Sequence, residues 1–157
     1  MSVNDQDKWL EKVHKASNLR HNFLASEVRI AYMSMEHVFR KHVDKKMAPT
    51  HATLLLLIND YPNSSQQELS EIVGLQRSTM VRTIDEFEKK GWVKRHKKEG
   101  DRRALAIKIT SNGKKIVSRI TPKLSAMEKH IEKTLGKKKR AEMMELLKEF
   151  QDAVWNY

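Results

Sequence analysis

The 157-residue chain has no cysteine, which excludes disulfides, thiolate-held zinc and cysteine-based redox sensing. Only five glycines and three prolines punctuate it, and most segments read with helical period. Aromatic residues make up 6% of the chain. No phosphate-cradling glycine loop, paired-carboxylate site or Ser-His-Asp order is present, so an enzyme is not expected and no catalytic residue is nominated. No apolar run reaches membrane-spanning length. The opening Met1-Ser2-Val3-Asn4-Asp5-Gln6-Asp7 holds neither a basic nor an apolar export region, so a cytoplasmic location is expected. The seven histidines show no convincing ligand spacing. His37 with His42, or His51, is better read as a core or surface histidine, and no metal or cofactor is expected.

What is present is an ordinary globular balance, 39% hydrophobic and 32% charged, with a net charge of +11. That charge is uneven. Between Leu75 and Arg119 there are fourteen basic and five acidic residues, which places nine of the eleven net charges in that segment. Concentrated positive charge fits a polyanionic partner, though a solvated lysine face would look similar by charge alone.

The periodicity lays out an order of elements. Trp9, Val13, Ala16 and Phe23, then Val28, Ala31, Met35, Val38/Phe39 and His42/Val43, predict one long helix or two in sequence, ending near Lys45. Pro49 suits the first turn of a new helix, whose core is Leu54 to Ile58. Tyr61-Pro62-Asn63-Ser64 is a loop. Ser65-Gln66-Gln67-Glu68 has the pattern of a capping box. The helix it opens is expected to bury Leu69, Ile72 and Val73 and to stop at Gly74. A second helix, from about Arg77 to Lys90, carries an inner stripe of Met80, Ile84 and Phe87. This is the spacing of a helix-turn-helix. After Gly91 the period becomes two. Trp92–His96 and Leu105–Ile109 read as paired strands, with Leu105, Ile107 and Ile109 on one face and a basic turn at Lys97–Arg103, the form of a wing. Thr110 caps a long helix that Pro122 should kink or interrupt. Gly136 precedes a last helix striped by Met143, Leu147, Phe150 and Val154. The expected fold class is mainly α with a small two-stranded β-wing: a winged helix-turn-helix with a helical dimerisation region.

The runs Leu69-Ser70-Glu71-Ile72-Val73-Gly74-Leu75, Arg77-Ser78-Thr79-Met80-Val81-Arg82, Phe87-Glu88-Lys89-Lys90-Gly91-Trp92-Val93-Lys94-Arg95 and Gly100-Asp101-Arg102-Arg103-Ala104 stand in an order that resembles MarR-type regulators. Gln76 and Val81-Arg82-Thr83 are similar to the SlyA-like branch. The match is strong over residues 65 to 120 and rests on helix order elsewhere. Gln76 and Ala48 depart from the better caps that many relatives carry. The resemblance implies a cytoplasmic, DNA-binding transcription regulator, a repressor, acting as a homodimer on a pseudo-palindromic operator of double-stranded DNA. It also implies a segmentation into residues 1–48 (dimerisation and ligand pocket), 49–110 (DNA-binding winged helix) and 111–157 (dimerisation helices).

The candidate site residues follow from the residue chemistry within that frame. Gln76, Arg77, Ser78, Thr79 and Arg82 lie away from the inner stripe of the second helix and can address base edges and phosphates in a major groove. Arg77 has the fork that matches guanine. Arg82 could instead pair with Asp85 or Glu86. Lys94, Arg95, Lys97 and Lys98 are expected to meet backbone phosphate, and Arg102 and Arg103 to enter a minor groove. The resemblance gives Asp101 the part of orienting one of these arginines through a bidentate pair. It makes Met143, Leu147, Phe150 and Val154 an interface or local core. It also implies a pocket for an aromatic carboxylate or phenolic effector, hydroxycinnamate-like acids in particular. Arg29 would anchor the carboxylate, with Ser26, Tyr32 and His51 as polar neighbours, although an arginine on a long helix more often makes a surface pair. An architectural or anti-silencing DNA binder without an effector is the alternative.

Overall fold

The computed structural model describes residues 23–98 and 101–156, preceded by helical turns at Lys8, Glu11, Lys12 and Lys15; of residues 98 and 101–104 it describes the backbone alone. Trp9, Val13 and Ala16 of the expected first stripe lie outside the described residues, as do Glu99 and Gly100 of the wing turn. The chain divides into two compact units, between Pro49 and Thr50.

In the first unit, α1 (Leu24–His42) starts after an extended Phe23 with no side-chain cap. The helix therefore begins afresh here rather than running on from the amino-terminal turns. It carries Glu27 in its first turn and Arg40, Lys41 and His42 in its last, the charge order that its dipole favours. Phe39, Val43 and Met47 are buried. Beyond the helix, the Asp44 carboxylate accepts from the amides of Lys46 and Met47, at 2.9 and 3.1 Å, and so holds a tight turn.

The second unit carries α2 (Pro49–Asp60), which extends from Pro49 at the boundary, then α3 (Gln66–Val73), α4 (Arg77–Lys89), β1 (Val93–Lys98), β2 (Asp101–Ile109), α5 (Ser111–Leu135) and α6 (Lys137–Trp155). Ser65 and Glu68 form the capping box at the start of α3. Gly74 ends that helix in the left-handed region at φ 68°. At the end of α4 the Trp92 amide donates to the Phe87 carbonyl and the Gly91 amide to that of Glu88. This is the paired Schellman arrangement, and its apolar partners are the rings of Phe87 and Trp92, 5.4 Å apart. Leu54, Leu55, Ile58, Leu69, Met80, Ile84, Phe87, Val93, Ile107 and Ile120 form the buried core.

β1 and β2 pair antiparallel in register from Val93↔Ile109 to Lys97↔Leu105, and the register then jumps to Lys98↔Asp101. Both strands are longer than the alternation predicts. The sheet also gains an unexpected edge, because the Ile107 amide donates to the Ser64 carbonyl at 2.9 Å and Ser65 bridges Ala106.

Three expectations are corrected. Ile72 is 61% exposed, because an eight-residue α3 buries only the face that holds Leu69. Leu105 is exposed although Ile107 and Ile109 on its face are buried, since it lies where the ribbon leaves the core. Pro122 does not interrupt α5, which runs unbroken for 25 residues. Proline at that point forfeits one backbone donor, yet eleven residues precede it and thirteen follow.

Candidate nucleic-acid interface

α4 turns Met80, Thr83, Ile84 and Phe87 into the core. Its opposite side is thereby presented to solvent: Arg77, Ser78, Val81, Arg82 and Asp85 are exposed and Thr79 is half-buried. Gln76 is the exposed N-cap residue, with no side-chain cap bond. Arg82 forms no ion pair among the described residues; the acids it could have met are engaged elsewhere, Asp85 with Arg95 and Glu86 with Lys90. Arg77, with Val81 and Met80, also lines a cleft of about 370 Å³ between α3 and α4, walled across by Gln66, Gln67, Ser70 and Glu71.

The strand residues divide by side. Lys94 and Lys97 are exposed. Lys98, Asp101, Arg102 and Arg103 lie on the strands, with their side chains outside the described residues. Arg95 differs from its basic neighbours. Its side chain is only 20% exposed, and Nη2 sits 2.6 Å from Asp85. Nη1 pairs with Glu88, Nε donates to Gln66 Oε1 at 3.0 Å, and the Arg95 amide donates to the other Glu88 oxygen at 2.8 Å. The expectation that Arg95 reaches for phosphate thus meets a guanidinium already held on three sides by protein acceptors. On the far side of the same strand His96 Nε2 lies 2.9 Å from Asn63 Oδ1, and Asn63 holds a left-handed φ of 73°. Gln66, Asn63, Asp85, Glu88 and His96 were not nominated from sequence. Asp85 and Glu88, three apart on one helix face, carried a signal, whereas Gln66, 29 residues from Arg95, carried none.

The remaining candidates fall elsewhere. Ser26, Arg29 and Tyr32 are on α1, Ser26 half-buried and the others exposed. His51, on α2, is half-buried and its ring meets Phe87 edge-on at 5.4 Å. Burial pushes its pKa below the usual histidine value, with Glu86 opposing and Lys90 reinforcing the shift. The Glu86 carboxyl is held low by the hydrogen bond from Lys90, whose ammonium lies 4.7 Å from the Trp92 ring centroid. On α6, Met143 and Val154 are exposed, and Leu147 and Phe150 half-buried.

A two-helix turn whose second helix shows a polar outer side, followed directly by a β-ribbon, defines a winged-helix protein. Residues 47–105 match the model of the MarR family. Over that segment the chain is similar to the MarR family, whose proteins are transcription regulators rather than enzymes. Solved structures share the fold. The PcaV transcriptional regulator from Streptomyces coelicolor, in complex with its natural ligand, is 18% identical with a TM-score of 0.78, over 85% of this chain and 94% of that one. The transcriptional repressor CouR, bound to a 23-mer DNA duplex, is 22% identical with a TM-score of 0.76, over 82% and 92%. BpsR of Bordetella bronchiseptica, whose DNA binding is regulated by 6-hydroxynicotinic acid, is 16% identical with a TM-score of 0.74, over 85% and 96%.

Proposed function

We propose that this chain is a sequence-specific repressor that binds duplex DNA as a homodimer and is released by a small aromatic acid. The observation that carries the DNA reading is the exposed side of α4. It sets Arg77, Ser78 and Arg82 on a helix of groove-entering size beside a ribbon that bears Lys94 and Lys97, within the segment that holds most of the net charge. In this reading Gln76, Arg77, Ser78 and Thr79 address bases, Arg82 addresses bases or phosphate, and Lys94, Lys97 and Lys98 neutralise phosphate. Arg102 and Arg103, oriented by Asp101, enter the minor groove.

The effector reading is supported by the fold-mates: one is seen with its natural ligand and another is regulated by an aromatic acid. On this chain Arg29, exposed on α1 with Tyr32 one turn on, supplies the charge that a carboxylate needs. Gln76 and the Val81-Arg82-Thr83 run support placement in the SlyA-like branch, and hydroxycinnamates are the first acids to try.

The test is selection of duplexes from a random pool, followed by titration of the selected complex with a panel of aromatic acids. A palindromic consensus with half-sites about 10 bp apart and a ligand-driven loss of affinity of roughly 5- to 150-fold are expected. Failure to enrich any sequence would overturn the DNA reading. Enrichment with no response to any acid leaves the architectural reading in its place.

A further inference from the structure

We infer that Arg95 is a positioning residue that fixes the wing against the recognition helix, and that the three acceptors around it exist to hold that angle. The inference rests on the DNA-binding reading for its consequence, but its geometry stands without DNA.

The guanidinium offers donors in a rigid planar fork, and each direction of the fork ends on a different acceptor. Nε reaches Gln66 at the first turn of α3, Nη1 reaches Glu88 and Nη2 reaches Asp85 on α4. Glu88 adds a second hold, because its other oxygen accepts from the Arg95 main-chain amide. One carboxylate thus grips both the backbone and the side chain of the same strand residue, which fixes the direction in which β1 leaves the head. Among the described residues no other side-chain hydrogen bond joins β1 to α4. The opposite edge of the ribbon root is held separately, by His96 on Asn63.

The alternative is that Arg95 is one more phosphate contact. Two features speak against it. First, a guanidinium paired with two carboxylates has no net attraction left to offer a phosphate. Second, Gln66 is committed too: its buried Nε2 has no partner, an arrangement favoured because turning the amide would set two donors, Nε2 and Arg95 Nε, against each other. Lysine cannot replace this fork, since a single ammonium spans none of the three directions at once.

The chain has no cysteine, so Lys89→Cys on α4 and Lys97→Cys on β1 can be spin-labelled cleanly in the whole 157-residue chain without DNA. A narrow inter-label distance distribution is expected in the parent. It should broaden in Arg95→Ala and broaden partly in Arg95→Lys, with the helical circular dichroism of both retained. Arg95→Ala combined with Asp85→Asn and Glu88→Gln removes the two carboxylates that Arg95→Ala alone would leave without their arginine, and it should broaden as well.

On a duplex selected by the wild type, unlabelled Arg95→Ala should keep major-groove base preference. It should lose hydroxyl-radical protection in the minor groove, with a log–log salt slope shallower by about two units for two wings. An unchanged distance distribution in all three variants overturns the inference, whatever happens on DNA. So does a loss of affinity with minor-groove protection intact, which marks an ordinary phosphate contact. If the wild type selects no duplex, the DNA-binding reading fails, and the label distances still decide the role of Arg95.

Discussion

Arg77 and Arg95 carry the same side chain, yet their surroundings assign them opposite work. Arg77 opens α4 with its guanidinium exposed, so Arg77→Ala should remove about 1–3 kcal/mol from binding the preferred operator and relax preference at one base pair per half-site. Comparing the operator, a single-substituted operator and random duplex checks this; an equal loss on all three would sink the base-reading role. The exposed arginines were legible from the Met80/Ile84/Phe87 stripe, because a helix that buries one side must show the other. The role of Arg95 was not legible, because charge type says nothing of which acceptors the fold brings near. His51 supplies a second test at this scale. Its folded-state pKa lies below the ordinary histidine value of about 6.5 through burial, so below that pH the unfolded chain binds more protons than the folded one. Stability is therefore full above about pH 6.5 and falls as the pH drops through it. His51→Phe, which keeps an aromatic edge on Phe87, should lose less thermal midpoint between pH 7.5 and 5.5 than the wild type does.

At the scale of elements, the junction between the ribbon and α5 is the most constrained point. The Thr110 hydroxyl accepts from the Gly113 amide at 3.1 Å and donates to the Gly91 carbonyl at 2.6 Å. A Cβ on Gly113 would lie 2.1 Å from the Trp92 carbonyl oxygen and 2.6 Å from Ile109 Cγ1. Thr110→Ala should cost about 0.5–2 kcal/mol. Gly113→Ala should cost at least the roughly 1–3 kcal/mol of an overpacked core, since backbone cannot step aside as a side chain can. Urea unfolding ranks the two, and the reverse order would refute the packing account. Pro122 points the other way: Pro122→Ala restores a helical donor in an unbroken α5 and should raise the melting temperature. Helix order, the capping box and the ribbon could be read from periodicity and caps. The exposure of Ile72 and Leu105 could not, because a stripe shows which side is apolar and not how far the neighbouring element extends.

For the whole molecule, the apolar surface of α6 sets the expected assembly. Met143, Met144, Leu146, Val154 and Trp155 are all exposed, Leu146 at 63% and Trp155 at 90%, an amount of apolar surface that favours a partner. The sequence stripe singled out Leu147 and Phe150, which are half-buried in the protomer, so changing them would damage the fold and the assembly together. Leu146→Glu with Val154→Glu is the cleaner pair. It should sediment as a folded monomer, where the wild type should sediment as a dimer, and bind the operator far more weakly. A wild type that is monomeric at micromolar concentration would remove the dimer from the mechanism. Arg29→Ala belongs to the same scale: it should leave operator affinity intact while abolishing release by any aromatic acid that releases the wild type.

The hydrogen bond from Ile107 to Ser64 has a consequence in time as well as in shape. It ties the root of β2 to the loop before α3, so that amide can exchange with solvent only when the head itself opens. Beyond Lys97↔Leu105, where the register jumps, no such tie reaches the ribbon among the described residues. Amide hydrogen exchange should accordingly fall into two classes along a single strand. Ile107 and Ile109 should exchange at the slow rate of the core, and the residues before Leu105 should exchange by brief local fraying. DNA should slow only the second class, because the first is already protected.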